Sequence, residues 1–130
     1  MSDHGYTGGT VTPELTALIR NLGLAPHPEG GFYREWYRAA GTIPASALPS
    51  RYVGERAYAT SILYLLPAGS RSRWHRVASD ELWHLHQGGP LELAEISPEG
   101  AVRTTLLGAD LARGEYPVHA VAAGHWLGAR

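Results

Sequence analysis

An alternation of apolar and polar residues runs through most of this chain, after one short helical segment. A period of two sends successive side chains to opposite faces of a strand, so it predicts a sheet with one buried face. The predicted strands are Gly31–Ala39, Ala57–Leu66, Arg71–Val77, Glu81–Gln87, Leu91–Ile96, Ala101–Leu107 and Tyr116–Ala122. Because such a sheet must also protect its edges, we expect an all-β architecture folded over as a jelly-roll barrel.

A short amphipathic helix precedes the strands. Thr12 is a predicted N-cap, Pro13 suits the first helical position and Gly23 suits the C-terminal cap. A length of 130 residues supports one hydrophobic core. We therefore expect a single domain over residues 12–130, after a flexible N-terminal lead-in over residues 1–11.

Two connections have a predicted shape. Ser97–Gly100 has the composition of a tight hairpin turn between neighbouring strands. Gly41–Gly54 contains two prolines and several small residues, which predicts a loop over one mouth of the barrel.

The composition excludes several classes of function. The chain has no cysteine, which rules out disulfides, thiolate zinc sites and thiol nucleophiles and favours a cytoplasmic location. It has no lysine, its arginines are scattered and its net charge is −1, so we do not expect a nucleic-acid partner. No apolar run approaches the roughly 20 residues of a membrane span, and no membrane association is expected.

A spaced set of residues in the middle of the chain is the strongest functional signal. Gly69, His75, Glu81 and Gly88 match the first cupin motif, which is glycine, five residues, His-x-His, three or four residues, glutamate, six residues and glycine. The second histidine of that motif is replaced by Val77. The spacing therefore resembles a cupin scaffold, while one metal ligand of the motif is missing.

Longer segments narrow the resemblance. Four segments resemble the cupin family once catalogued as a domain of unknown function, the Cupin_5 group. They are Pro-His-Pro-Glu-Gly-Gly-Phe-Tyr-Arg at 26–34, residues 61–69, residues 72–77, and Ser-Asp-Glu-Leu-Trp-His at 79–84. The resemblance covers most of the chain. It implies a double-stranded β-helix with a short N-terminal helix, and a homodimer.

The chain departs from the family pattern near its C-terminus. The segment Ala-Ala-Gly-His-Trp-Leu at 122–127 places Leu127 where cupins have a glutamine or the metal histidine of the second motif. Relatives also continue beyond Trp126 with further strands. The resemblance thus leaves two alternatives: the chain is truncated, or another subunit completes the barrel.

Regular alternation predicts the contents of the barrel interior. If His75 points inward, Arg71 and Arg73 accompany it and give the interior positive charge. If Glu81 points inward, Trp83 does so too.

These groups have the chemistry of proton transfer. An imidazole is a base near neutral pH, a carboxylate can orient it, and a guanidinium binds an anionic substrate. We expect His75 to be the general base, Glu81 to orient it and Tyr33 to be the opposing acid. The predicted substrate-binding residues are Arg73, Trp83, Glu29, Arg34, Tyr64 and Trp126. For Pro26–Gly31 itself, a rigid turn is the favoured interpretation.

The leading hypothesis is a metal-independent isomerase or epimerase, or a related proton-transfer enzyme including cyclisation, acting on a small oxygenated, anionic substrate of sugar or natural-product metabolism. No cofactor is expected, because His84 and His86 are predicted on the outer face and only His75, Glu81 and His125 remain as ligands for a divalent metal. Two alternatives stay open: a non-catalytic small-molecule-binding cupin, and a metal-dependent dioxygenase or decarboxylase.

Overall fold

A computed structural model describes residues 9–130. The predicted lead-in over residues 1–11 falls mostly outside the described residues, and its flexibility stays a prediction. At the described end, the Thr10 amide donates a hydrogen bond to the Ala68 carbonyl at 3.3 Å. Across residues 9–130, no helix combines the length and the apolar character that crossing a membrane requires.

Helix α1 spans Pro13–Leu22, as its capping residues predict. The Thr12 hydroxyl accepts a hydrogen bond from the Leu15 amide at 3.2 Å, which satisfies one of the free amides of the first turn. Gly23 ends the helix in the left-handed conformation, with a φ of 64°.

Eleven strands follow the helix. In chain order they are β1 (Ala25–Pro26), β2 (Phe32–Arg38), β3 (Thr42–Ile43), β4 (Arg56–Ala57), β5 (Thr60–Leu65), β6 (Ser72–Arg76), β7 (Glu81–His84), β8 (Leu91–Ile96), β9 (Val102–Leu107), β10 (Val118–Val121) and β11 (Trp126–Ala129). Short 3₁₀ turns occupy Ala45–Ala47 and Leu111–Arg113. Each of the predicted strand segments contains an observed strand, and the prediction for β8 is confirmed at both ends. Strands β1, β3 and β11 lie outside the predicted segments, and β4 only overlaps one of them. These strands are two to four residues long, so their alternation gives a weak signal.

Two layers of strands enclose the interior. One layer is an antiparallel sheet in the order β6-β11-β8-β9. The facing layer consists of the β1-β2-β5 sheet and the β7-β10 pair. Within residues 9–130 no backbone ladder joins β5 to β7, and the gap is crossed by side chains, with the Tyr64 and Trp83 ring centroids 5.9 Å apart. The fold is the expected double-stranded β-helix, with its second layer held together across this gap by aromatic packing.

A β-bulge interrupts β6. Leu127 of β11 pairs with His75, but Ala129 pairs with Ser72, so two residues of β6 stand opposite Gly128 alone. The amide of Arg73 leaves the ladder and donates to the Glu29 carbonyl at 2.7 Å. Because the bulge shifts the alternation by one residue, Ser72 and His75 both face inward.

The structure confirms one of the two predicted connections and shows more regular structure than predicted in the other. The Ser97–Gly100 hairpin is confirmed, since the Gly100 amide donates to the Ser97 carbonyl at 2.9 Å and Gly100 has a φ of 89°. The Gly41–Gly54 segment, predicted as a loop, contains β3 and the 3₁₀ turn at Ala45–Ala47. It is fastened to the turn between β6 and β7, where Arg51 Nε donates to the Ala78 carbonyl at 2.8 Å. Its position over a barrel mouth stays a prediction.

The hydrophobic core lies between the layers. Its buried members are Leu93, Leu107, Val121, Leu127 and Ala129, against which Leu66, Trp83, Leu85 and Leu91 pack. They come from both layers, which join through apolar burial.

We expect Leu93→Ala to lower the free energy of unfolding by about 2–5 kcal/mol, because Leu93 is 0% exposed and its truncation leaves a cavity. Leu111→Ala is the matched control, since Leu111 is 65% exposed and its truncation should cost less than about 0.5 kcal/mol. Urea unfolding followed by tryptophan fluorescence measures both values. Equal losses in the two variants would contradict this assignment of the core.

Candidate functional site

A continuous belt of side chains lines the barrel interior. We call it the interior belt, and its members in order are His27, Tyr33, Tyr64, Trp83, His119, Glu95, Leu127 and His75. Neighbouring members are linked by backbone pairing, ring contact, a hydrogen bond or electrostatic interaction, because directly paired residues of antiparallel strands share a face.

The first half of the belt is aromatic. His27 meets the edges of Tyr33 and Tyr64, with ring centroids 4.7 Å and 5.2 Å away. Tyr33 pairs with Tyr64 across β2 and β5, and Tyr64 meets Trp83 of β7 nearly at right angles. Such edge-to-face contacts favour fixed ring orientations, so this half has a defined shape.

The second half of the belt contains three polar side chains, those of His119, Glu95 and His75, and one apolar side chain, that of Leu127. Trp83 pairs with His119 across β7 and β10. His119 Nε2 lies 2.5 Å from Glu95 Oε2 and so joins the two layers. Leu127 pairs with Glu95 on one side and with His75 on the other, which makes His75 the last member of the belt.

His75 has a defined tautomer in its neutral form. Its Nδ1 lies 2.8 Å from the Arg73 carbonyl oxygen, which can only accept a hydrogen bond. Nδ1 therefore carries the proton, and Nε2 presents a lone pair. The ring is half-buried and shares the inner face with Leu127.

Neutral His27 carries its proton on the other ring nitrogen from neutral His75. Its Nδ1 accepts a hydrogen bond from the Glu29 amide at 2.9 Å, so in the neutral ring the proton is on Nε2. Burial lowers the pKa of His27, the Glu29 carboxylate opposes that effect, and a nearby His75 lowers the pKa further. The two imidazoles therefore interact electrostatically, and in their neutral forms His75 offers a lone pair on Nε2 whereas His27 offers an N–H group.

Glu81 and Tyr64 are tied to their surroundings. Glu81 Oε1 accepts a hydrogen bond from Trp83 Nε1 at 2.8 Å. The Tyr64 hydroxyl donates to the Gly30 carbonyl at 2.5 Å. Burial raises the pKa of Tyr64, a hydrogen bond from Ser72 opposes the rise, and the Glu29 and Glu81 carboxylates add to it. These two carboxylates therefore lie near the aromatic half of the belt.

The prediction of a rigid turn at Pro26–Gly31, before β2, is confirmed. The His27 amide donates to the Gly31 carbonyl at 2.8 Å, and Gly30 and Gly31 have φ values of 118° and 74°. A Cβ on Gly31 would lie 2.6 Å from the Leu65 carbonyl oxygen, so the turn needs glycine there.

The prediction that Arg71 and Arg73 share the inner face with His75 is wrong, because the bulge in β6 breaks the alternation. Both side chains are exposed, and Arg73 Nη2 donates to the Pro28 carbonyl in the turn. The charged groups beside the belt are instead the carboxylates of Glu29, Glu81 and Glu95.

Two further predicted contacts lie away from the belt. Arg34 follows Tyr33 in β2, so it faces the opposite way, and its Nη1 donates to the Leu22 carbonyl of α1 at 3.3 Å. Trp126 precedes the inward Leu127, and its ring stacks beneath the Arg76 guanidinium on the outer face. The structure does not bring either residue together with His75.

Sequence reasoning missed three belt residues. His27 was assigned to a turn, although that turn carries its ring into the interior. Glu95 follows Leu91 and Leu93 at the period of two, so a charged residue on an apolar face was a usable signal. His119 shares a face with Val121, but nothing in the sequence indicates its partner across the layers.

Within the described part of the chain, no group of three or more histidine, aspartate or glutamate side chains is arranged to hold a metal ion. Glu81 bonds to Trp83, while His125 Nδ1 lies 3.3 Å from Glu95 Oε1. The residues predicted as possible ligands, His75, Glu81 and His125, therefore do not fit a divalent metal site.

The two-layered β-helix, with His75 and Glu81 at the spacing of the first cupin motif, defines a cupin. More particularly, the chain belongs to the family described as Cupin superfamily (DUF985), whose model matches residues 16–130. The resemblance predicted from Pro26–Arg34 and the later motifs is confirmed.

Two solved structures are similar to this chain. A hypothetical protein from Leishmania major is 34% identical with a TM-score of 0.76, and the match covers 92% of this chain and 69% of that one. A protein from Shewanella oneidensis is 39% identical with a TM-score of 0.76, and the match covers 88% of this chain and 66% of that one. The chain thus spans about two thirds of the length of each. Comparison with curated proteins finds no match.

We expect His27 to make the protein less stable in mild acid. Because the pKa of His27 is lowered from 6.5 in the folded chain, the unfolded chain binds the proton first as the pH falls through 6.5. Stability contributed by neutral His27 is therefore present above that pH and lost below it. Urea unfolding between about pH 8 and about pH 5.5 measures the dependence.

His27→Asn retains an acceptor for the Glu29 amide but does not titrate, so the part of the pH dependence due to His27 should vanish. His86→Asn is the matched control, because His86 is exposed, and it should keep the original dependence. An unchanged pH dependence in His27→Asn would disprove the prediction.

Proposed function

We propose that this cupin is a metal-independent proton-transfer enzyme of the isomerase or epimerase type, acting on a small oxygenated carbonyl compound. The observation that carries the proposal is the pair of imidazoles of opposite polarity in the interior belt. One offers the lone pair of His75 Nε2, and the other offers the N–H group of His27 Nε2.

In the proposed reaction, His75 Nε2 removes a proton from the carbon next to the substrate carbonyl. The C–H electron pair moves onto the carbonyl oxygen and forms an enolate. The neutral His27 N–H donates a hydrogen bond to that oxygen, where negative charge develops. Return of the proton to the same face exchanges hydrogen with solvent, while delivery to the other face inverts the carbon centre. The sequence predicts Tyr33, which contacts His27, as the donor for the second route, and the structure offers His119 as a second candidate.

The hydrogen bonds around each imidazole support these roles. The Arg73 carbonyl sets the tautomer of His75, the task predicted for Glu81, whose carboxylate binds Trp83 instead. Since the pKa of His27 is lowered mainly by burial, His27 is a neutral donor near pH 7. A neutral donor polarises a carbonyl without first giving up its proton.

The charge distribution sets the orientation of the substrate. The carboxylates of Glu29, Glu81 and Glu95 disfavour binding of the anionic group of the substrate deep in the interior. Arg73 is exposed at the turn that carries His27, so we assign the anionic end of the substrate to Arg73 and the reacting carbon to the interior. Trp83 supplies a ring face for the apolar part of the ligand.

A non-catalytic ligand-binding cupin is the second candidate, since the aromatic half of the belt suits binding without chemistry. Such a protein would bind a ligand and change its tryptophan fluorescence, yet leave every substrate proton in place. The predicted homodimer is compatible with both candidates.

We expect the protein to catalyse exchange of carbon-bound protons with deuterated water for a member of a panel of D- and L-glyceraldehyde, lactaldehyde, dihydroxyacetone phosphate and oxaloacetate. Proton NMR follows the loss of the signal. His75→Gln should slow this exchange by about 100-fold to 10,000-fold, because it removes the base.

His84→Gln is the matched control and should exchange at the wild-type rate, since His84 is exposed on the outer side of β7. Equal rates for His75→Gln and wild type would refute the assignment of the base. Ligand binding without exchange of any proton would favour the non-catalytic alternative.

A further inference from the structure

A second group of polar side chains lies across β11 from the proposed base, since Leu127 pairs with His75 on one side and with Glu95 on the other. Glu95 is held between two histidines, with His119 Nε2 2.5 Å from Oε2 and His125 Nδ1 3.3 Å from Oε1. The side chains of Glu95, His119 and His125 are 7%, 11% and 26% exposed. Burying a carboxylate is costly unless its oxygens are hydrogen-bonded, so Glu95 needs both imidazoles as partners.

The hydrogen bonds fix the roles of the two rings. A carboxylate accepts hydrogen bonds, so neutral His119 carries its proton on Nε2 and leaves a lone pair on Nδ1. Neutral His125 carries its proton on Nδ1. A carboxylate bound to one nitrogen of an imidazole orients the ring and stabilises the imidazolium when the other nitrogen takes up a proton.

The position of His119 relates this group to His75. His75 is in the β6-β11-β8-β9 sheet, whereas His119 is in the β7-β10 pair of the facing layer. His119 pairs with Trp83, so its side chain shares the inner face with an indole of the belt. The two histidines therefore approach the interior from opposite layers.

We infer that His119 is a second acid–base residue of the interior, facing the substrate from the layer opposite His75, with Glu95 as its positioning residue and His125 as the brace of Glu95. This inference rests on the proposed function, because it assigns a second proton carrier to the same substrate. It narrows the substrate to a carbonyl compound with a stereocentre next to the carbonyl.

Two histidines move protons in the proposed inversion. His75 Nε2 takes the proton from one face of the carbon, the electron pair moves to the carbonyl oxygen, and an imidazolium of His119 returns a proton from its Nδ1 to the other face. In the reverse direction His119 Nδ1 is the acceptor, with its imidazolium stabilised by Glu95.

Two other charged groups face this cluster. Hydrogen bonds from its own amide and from Ser97 lower the pKa of Glu99, and His125 adds a smaller electrostatic effect. Arg103 pairs with Glu95 through the backbone, but its side chain is exposed. Both are near solvent, so Glu95 is the buried charge that acts on His119.

Nitrogen-15 NMR of histidine-labelled protein tests the positioning role without a substrate. We expect wild type to carry its proton on Nε2 of His119 and on Nδ1 of His125. Glu95→Gln should move the proton in at least one of the rings, because an amide offers one acceptor oxygen and an N–H donor. Glu92→Gln, on the same strand, is the matched control and should change neither ring. A proton on Nδ1 of His119 in wild type, or unchanged rings in Glu95→Gln, would overturn the inference.

The exchange assay tests the acid–base role. With D-glyceraldehyde or another panel member that wild type both exchanges and inverts, His119→Gln should lose about 100-fold in inversion while exchange through His75 continues. Full inversion by His119→Gln, with loss in Tyr33→Phe instead, would refute the inference and leave His75 as the base. Wild-type rates in His75→Gln would refute the proposed function, and an absence of inversion by wild type across the panel would refute the role of His119.

Discussion

The bulge in β6 is the constraint on which the site depends. Two residues stand opposite Gly128, so His75 and Ser72 both face the interior although they are three positions apart. Glycine suits position 128, because a Cβ there would make a tight contact of 3.1 Å with the Trp74 ring. The amide released by the bulge binds the Glu29 carbonyl and so anchors the turn that carries His27. One irregularity in one strand thus positions both imidazoles.

Much of the fold could be predicted from the sequence, since period and punctuation are local properties. Thr12 and Gly23 delimit the helix, and Ser97–Gly100 closes a hairpin, because each acts through its own neighbours. Strand β11 was missed because its membership depends on β6 and β8, its partners on either side. Register between distant strands is not written in local composition.

The candidate site divides in the same way. His75 and Glu81 were predicted from motif spacing, Trp83 from strand alternation and Tyr64 as a substrate contact, and all four lie on or beside the interior belt. The placement of Arg73 failed because strand alternation cannot anticipate a bulge. The Glu95–His119 contact joins residues 24 apart in sequence across two layers, so only the folded chain brings them together. The interior was expected to contain arginines, but the charged groups at the belt are the carboxylates of Glu29, Glu81 and Glu95.

Leu127 is an apolar residue between two polar groups of the interior belt. It lies between His75 and Glu95, is 1% exposed and has no atom that can carry a proton. A polar side chain at this position could link His75 to Glu95 through hydrogen bonds. With leucine at this position, the side chain provides no hydrogen-bonded path across β11 between the proposed base and the Glu95 carboxylate.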